Sequence, residues 1–293
     1  MKYRIVCGCI FSWLLSLPLY SQEKNLLEEL NVTETSKSEQ VVSTFKSTRL
    51  VLGSTTVQLA PGELQFRVSH LFGPMSEGIQ ELYGLDQIFN VDIALDYGIN
   101  QWFSVGLARS SDYDKTLQSN VQFAILKQTT SDNEFSLSYV GGVNVRTRKY
   151  DVDRDFVDRM EYEHQLLLSR KFTHGFSAQL TPGWVYLNRV PTTVHPHSLW
   201  YTALGVSYAV TPSTTINGEY TYTFPTFDDK LYDAGKNVLS VGVDIETGGH
   251  VFQVFVSNAT RLQSSGYVAQ WNNNVFFNGD IHLGFSIMRS FGL

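Results

Sequence analysis

Glu63-Leu64-Gln65-Phe66-Arg67-Val68-Ser69 alternates without a break. Leu64, Phe66 and Val68 fall on one face, and Glu63, Gln65, Arg67 and Ser69 on the other. That is the period of a strand with one oily and one wet side. The pattern returns downstream, where Ile216, Tyr220, Tyr222 and Phe224 oppose Thr215, Asn217, Glu219 and Thr221. From Glu63 to the C-terminus there are about twelve such stretches of roughly ten residues each, the repeat an outer-membrane β-barrel requires. The predicted strands lie near 63–72, 88–98, 102–110, 115–127, 134–147, 160–172, 176–188, 199–210, 213–224, 236–247, 250–258 and 279–291. The expected fold is therefore all-β: one antiparallel up-and-down transmembrane barrel within residues 41–293.

The gaps between strands alternate short and long, with one weak point, since Ser111–Asp114 is no longer than Gln128–Asn133. Barrels of this class have short periplasmic turns and longer outer loops, which would put both termini in the periplasm. The oily face also carries two aromatic sets. Tyr97, Phe103, Phe135, Phe172, Phe176 and Tyr208 lie toward the short turns. Phe72, Tyr162, Trp184, Tyr186, Trp200, Tyr222 and Phe224 lie toward the long loops. Aromatic rings favour the membrane–water boundary, so the two sets read as belts one membrane thickness apart. A soluble β-sandwich also alternates but needs neither the belts nor the alternating gaps.

The chain opens with Lys2 and Arg4, an apolar run from Ile5 to Tyr20, and then polar sequence. Residues 1–22 read as a signal peptide, too short and wrongly flanked for a spanning helix. Both cysteines, Cys7 and Cys9, sit in it, so no disulfide, thiol nucleophile or cysteine metal site is expected beyond it. The formal charge is -6, and loss of Lys2 and Arg4 would take it to -8. No basic footprint for nucleic acid is present. Residues 23–40 are polar and acidic and read as a mobile periplasmic tail. Val41–Pro61 mixes apolar residues with Lys46, Arg49 and Gly53, and is expected to be a first short hairpin or a plug folded into the barrel mouth.

Several segments resemble an uncharacterised membrane-bound β-barrel family of Bacteroidota outer membranes. They are Phe45–Arg49, Gly62–Pro74, Tyr83–Gln87, Leu95–Ile99, Glu246–Gln253 and Gly279–Phe285. The resemblance implies an outer-membrane barrel and, as a domain of unknown function, no mechanism. Many barrels finish on an aromatic residue read by the insertion machinery; the ending Phe291-Gly292-Leu293 departs from that habit, and Phe291, sharing a face with Phe285 and Ile287, is expected to take that part with two residues to spare.

The wet face is where function could reside. It includes Glu63, Arg67, Asp92, Asp96, Gln118, Asn120, Gln122, Glu161, Glu163, Lys171, Glu219, Asp244 and Glu246. Acids outnumber bases, so an open lumen would favour cations, whereas a filled one would pair these groups internally. Gly78–Tyr83 reads as a helical turn ended by Gly84, packed on the rim or tucked inward. Asp151-Val152-Asp153-Arg154-Asp155 resembles the start of a calcium loop, but Phe156 replaces the glycine and Tyr162 the closing glutamate. His195-Pro196-His197 supplies too few ligands for a metal. His164 is the one mid-barrel candidate for lipid hydrolysis on the oily face, and Ser169 has the opposite parity.

No catalytic, cofactor or metal site is expected. The leading expectation is a passive pore or binding protein for small polar solutes. A non-conducting scaffold that binds another envelope component through its loops or N-terminal tail is the alternative, and a surface lipid hydrolase is a third. Expected partners are outer-membrane lipid, the barrel-insertion machinery and a small polar solute.

Overall fold

The computed structural model describes residues 44–130, 133–151, 154–193, 195–224, 237–270 and 276–292. The signal peptide and tail expected over residues 1–40, the loop 225–235, and Val152 and Asp153 of the calcium-like stretch lie outside them.

Twelve strands form: β1 (Glu63–Pro74), β2 (Ile88–Asn100), β3 (Phe103–Ser110), β4 (Thr116–Leu126), β5 (Ser136–Arg146), β6 (Met160–Lys171), β7 (Phe176–Leu187), β8 (Ser198–Ala209), β9 (Thr214–Thr223), β10 (Val238–Thr247), β11 (His250–Ser257) and β12 (His282–Gly292). Each pairs antiparallel with its neighbours in sequence, and β1 pairs with β12 from Glu63↔Gly292 to Leu71↔Gly284. Closure leaves no sheet edge, so the ladder satisfies the backbone groups that lipid cannot. The strands are those expected from the alternation, with one clear shift at the end. β12 starts at His282 rather than near Gly279, because Gly279 adopts φ +91 in a turn closed by Gly279 N–H to Phe276 O.

The two faces invert the arrangement of a soluble protein. Gln253, Asp244 and Asn217 are 1–2% exposed, while Leu107, Leu204 and Val254 are more than half exposed. A continuous apolar exterior around a polar interior is stable only with hydrocarbon outside. The aromatic residues of both belts project outward. Phe103 stacks on Phe123 at the short-turn end, and Trp184 meets Trp200 and Tyr186 at the long-loop end. β11 is apolar on both faces, and there Phe255 is buried inward while Phe252 faces out.

Polar groups on the outer face have local partners. His164 Nδ1 lies 2.5 Å from Tyr139 Oη, and its ring stacks on Trp184. Arg170 reaches Glu134 at 2.8 Å, Arg109 bonds Thr147 Oγ1, and Arg289 lies over the Phe291 ring. All three arginines extend from strand ends toward the rim, as long cationic side chains do at a lipid boundary. The loop after β1 forms 3-10 turns at 75–77 and 79–84, and Leu82 and Tyr83 are half exposed, so this loop packs on the rim.

Candidate functional site: a lumen closed from both ends

Residues 44–61 run inside the barrel. They enter at the short-turn end, reach the middle, turn at Leu50–Gly53 and return to β1. Three contacts make the segment a hairpin: Leu50 N–H to Gly53 O at 3.0 Å, Thr55 N–H to Thr48 O at 3.0 Å, and the Arg49↔Ser54 bridge. A two-strand hairpin has unpaired groups on both flanks, and burying them without partners would cost about 1–3 kcal/mol each. Side chains of the barrel wall supply the partners.

Glu219 on β9 does so at the tip. Its carboxylate accepts the amides of Val51, Leu52 and Gly53 at 3.0–3.3 Å. Three consecutive N–H groups on one carboxylate form an anion nest that holds the turn. Long amide side chains hold the flanks. Gln179 donates to Ser54 O and accepts from Thr56 N–H, Gln122 donates to Thr55 O and Val57 O, and Gln253 donates to Leu50 O. Thr56 Oγ1 meets Ser169 Oγ, and Lys46 pairs with Glu246 at 2.7 Å where the hairpin enters. Space is reserved too: a Cβ at inward-facing Gly205 would lie 2.3 Å from Leu50 Cδ2, and one at Gly98 2.2 Å from Ala60 O.

The opposite end is closed by the connection from β11 to β12. It carries a short helix, α1 (Ser264–Val268), all of whose residues are buried. Ser264 Oγ donates to Glu163, Gln165 donates to Ser264 Oγ, and Asn144 donates to Ser265 Oγ. Gln263 bonds Asp112, and Arg261 pairs with Asp114 at 3.3 Å. Tyr267 is 2% exposed, and burial pushes its phenol well above the ordinary value, so it stays neutral. Val51 and Leu52 of the hairpin tip share one apolar cluster with Leu262, Tyr267 and Val268 of this connection and with Val185, Leu199, Tyr201 and Phe255 of the wall. The interior is therefore polar along the wall and oily where the two insertions meet.

Most of the inward residues singled out in the sequence have partners. Arg67 pairs with Asp92 at 3.3 Å, and Gln118 donates to Asp92. Arg146 pairs with Glu161, Gln253 bonds Asp244, and Glu63 accepts Ala60 N–H. Asp96 and Asn120 pack against Gly106, and Lys171 lines the cavity at the short-turn end. Of the acids read as ion-selecting charges, Glu63, Glu219 and Glu246 instead hold the hairpin, Glu163 the helix, Asp92 and Glu161 a neighbouring arginine, and Asp244 a wall glutamine.

Among the described residues, two sizeable cavities lie at opposite ends of the barrel. One of about 580 Å³ opens at the short-turn end, lined by Lys46, Lys171, His174 and Glu246 among others. The second, of about 470 Å³, lies at the long-loop end between the wall, the β11–β12 connection and the rim. Between them, where Leu50 and Gly53 face Glu219 and Tyr201, the free space falls to about 10 Å³, at the lower limit for one water.

Among the described residues, His164 and Ser169 are not brought together, and neither are the rings of His195 and His197. His164 is committed to Tyr139 and Trp184, while Ser169 faces inward on Thr56. His195 Nδ1 faces Thr192 Oγ1 and His197 Nδ1 faces Leu187 O, so the two rings serve separate loop contacts.

The chain belongs to the family described as membrane bound beta barrel domain (DUF5777). The family model matches residues 45–291, so the shared domain includes the internal hairpin and not the strands alone. No curated protein matches the chain. Among solved structures, the NanC porin in a rhombohedral crystal form is similar at 11% identity and TM-score 0.49, over 78% of this chain and 100% of that one. The KdgM porin is similar at 12% identity and TM-score 0.48, over 78% and 99%. An outer membrane channel from Pseudomonas putida F1 is similar at 11% identity and TM-score 0.47, over 80% and 97%. These likenesses are slight, and the barrel assignment rests on the strand pairing itself.

Proposed function

We propose that this protein is an outer-membrane barrel for the passage of small polar solutes, closed at rest by its own N-terminal hairpin. The short turns and both termini face the periplasm in this reading, and the hairpin enters from that side. One observation carries it: two cavities at opposite ends of one closed wall, parted where the hairpin tip and α1 meet. A barrel of this strand number is wide enough for a solute path only if its interior is not filled by its own wall side chains. Here the central filling comes from the hairpin and from α1. Gln122, Gln179, Gln253 and Glu219 bond hairpin backbone, and water can take over each of those bonds if the hairpin leaves.

The grip of the tip is apolar. Burying one side chain such as Val51 or Leu52 contributes about 1.5–3 kcal/mol, so the closed form dominates without a trigger. The test is conductance in planar bilayers. The whole chain should be silent or open rarely, and Leu52→Asp, which places a charge in the apolar cluster, should open often. A barrel that stays silent when the tip is expelled would refute the pore.

The second reading is a non-conducting scaffold. The continuous apolar cluster between the hairpin tip and α1 favours it, because such a core is a usual source of permanent stability. It predicts that Leu52→Asp lowers unfolding stability by about 2–4 kcal/mol and opens nothing.

A further inference from the structure

The cavity at the long-loop end carries an arrangement that closure of the lumen does not explain. Four arginines line it: Arg146, Arg154, Arg189 and Arg261. Two are spent on acids, one of which, Asp114, also lines the cavity. Arg146 lies against Glu161 and Asp114, and Arg261 against Asp114 and Asp112. Tyr150 donates its hydroxyl to Asp114 at 2.7 Å, so that acid is further engaged. Burial, together with this bond, pushes the Tyr150 phenol up to about 12, so it remains a donor across the physiological range.

Arg154 and Arg189 are different. Among the described residues neither forms an ion pair. The Arg154 guanidinium lies over the Tyr150 ring, 3.3 Å from its centroid. Its Nε is buried and has no hydrogen-bond acceptor. The terminal nitrogens of the fork also have no acceptor among the described residues and are not sealed off, so they are the groups that an anion in the cavity would meet. The ring beneath holds the guanidinium in place, so little side-chain freedom is lost when a ligand binds.

We propose that this cavity is a binding site for a small carboxylated solute of about sugar-acid size, held by Arg154 and Arg189. The planar fork of arginine matches a carboxylate with two parallel N–H···O bonds. The size of the cavity, about 470 Å³, lies within the usual range for small-ligand sites. Its lining is mixed: Thr260, Ser265 and Gln270 offer partners to hydroxyls, beside the apolar Leu187, Val190 and Pro191. The site deepens the passage reading by naming the solute class. It also reverses the charge preference expected from the wall acids, because most of those acids are engaged and, among the described residues, these two arginines form no ion pair.

Equilibrium binding tests it independently of conduction, so failure of one does not imply failure of the other. Calorimetry on the full chain in detergent would use glucuronate, glucose and inorganic phosphate as probes. One glucuronate site is expected, with glucose binding absent and affinity falling as salt rises. Replacing both arginines, Arg154→Gln with Arg189→Gln, should weaken glucuronate at least about tenfold. Arg189→Gln alone should weaken it measurably, and because Arg189 is exposed on a loop this variant leaves folding intact. Glucuronate binding that ignores the substitutions, glucose binding as tightly, or phosphate binding more tightly than glucuronate would each overturn the assignment.

Discussion

Glu219 shows how little a parity argument says about a charge once the interior is filled. By alternation it faces the lumen, and so it does, yet it meets three backbone amides and no water path. Replacing it removes the acceptor for all three. Glu219→Ala should speed hydrogen exchange at Val51, Leu52 and Gly53 by at least about tenfold, with the barrel strands unchanged. Equal protection in the variant would mean that the apolar cluster alone holds the tip. Gly205 offers a steric counterpart. Gly205→Val places side-chain atoms where Leu50 sits, so it should expel the tip and raise basal conductance, and a silent Gly205→Val barrel would count against the seating described here. His164 carries a smaller expectation. Hydrogen bonds in a membrane setting contribute about 0.6 kcal/mol on average, so His164→Phe should cost less than about 1 kcal/mol in a urea titration. A loss of several kcal/mol would give the Tyr139–His164–Trp184 stack a role that its geometry does not suggest.

Strands and insertions were not equally legible. The strands were readable because lipid outside and polar groups inside impose a strict period of two, and Gly248-Gly249 and similar turn residues punctuate it. β12 was placed early only because Asp280 and Ile281 fit the alternation by chance, whereas the positive φ of Gly279 ends the preceding turn. The hairpin has no such period. Phe45, Leu50, Val51, Leu52 and Leu59 are buried by two different surroundings, the wall and the other insertion, so no single spacing marks them. A signal existed elsewhere. Gln122, Gln179 and Gln253 sit on inward strand faces, and a primary amide that both donates and accepts suits an extended backbone. Gly98 and Gly205 leave matching gaps. α1 was missed because 259–278 read as an outer loop, although Leu262, Tyr267 and Val268 are apolar among serines. At this scale, Ser265→Trp should force α1 out of the lumen and raise protease cleavage within 259–270, and a resistant variant would show that the helix does not need its seat.

For the whole molecule, the exterior was the readable part and the interior was not. An excess of acids suggested a cation path, but Arg67, Arg146, Lys46, the hairpin amides and Ser264 take up Asp92, Glu161, Glu246, Glu219 and Glu163. Wall charge can therefore shape selectivity only after the hairpin leaves, and its effect on the resting protein is structural. Asp92→Asn should accordingly leave ion preference of an opened barrel only slightly changed, since Arg67 stays beside it, and should instead lower stability by leaving that buried arginine unpaired.

The central claim is that the hairpin is a removable closure, and a reversible cross-link tests it directly. Thr56 and Ser169 oppose each other with hydroxyl oxygens 2.5 Å apart, a separation that suits a disulfide between hairpin and wall. Single-channel conductance should be measured for Thr56→Cys with Ser169→Cys in the Leu52→Asp background. Openings that appear in reductant and vanish on oxidation are the predicted result, and a trace that is silent, or unchanged, under both conditions would contradict the account.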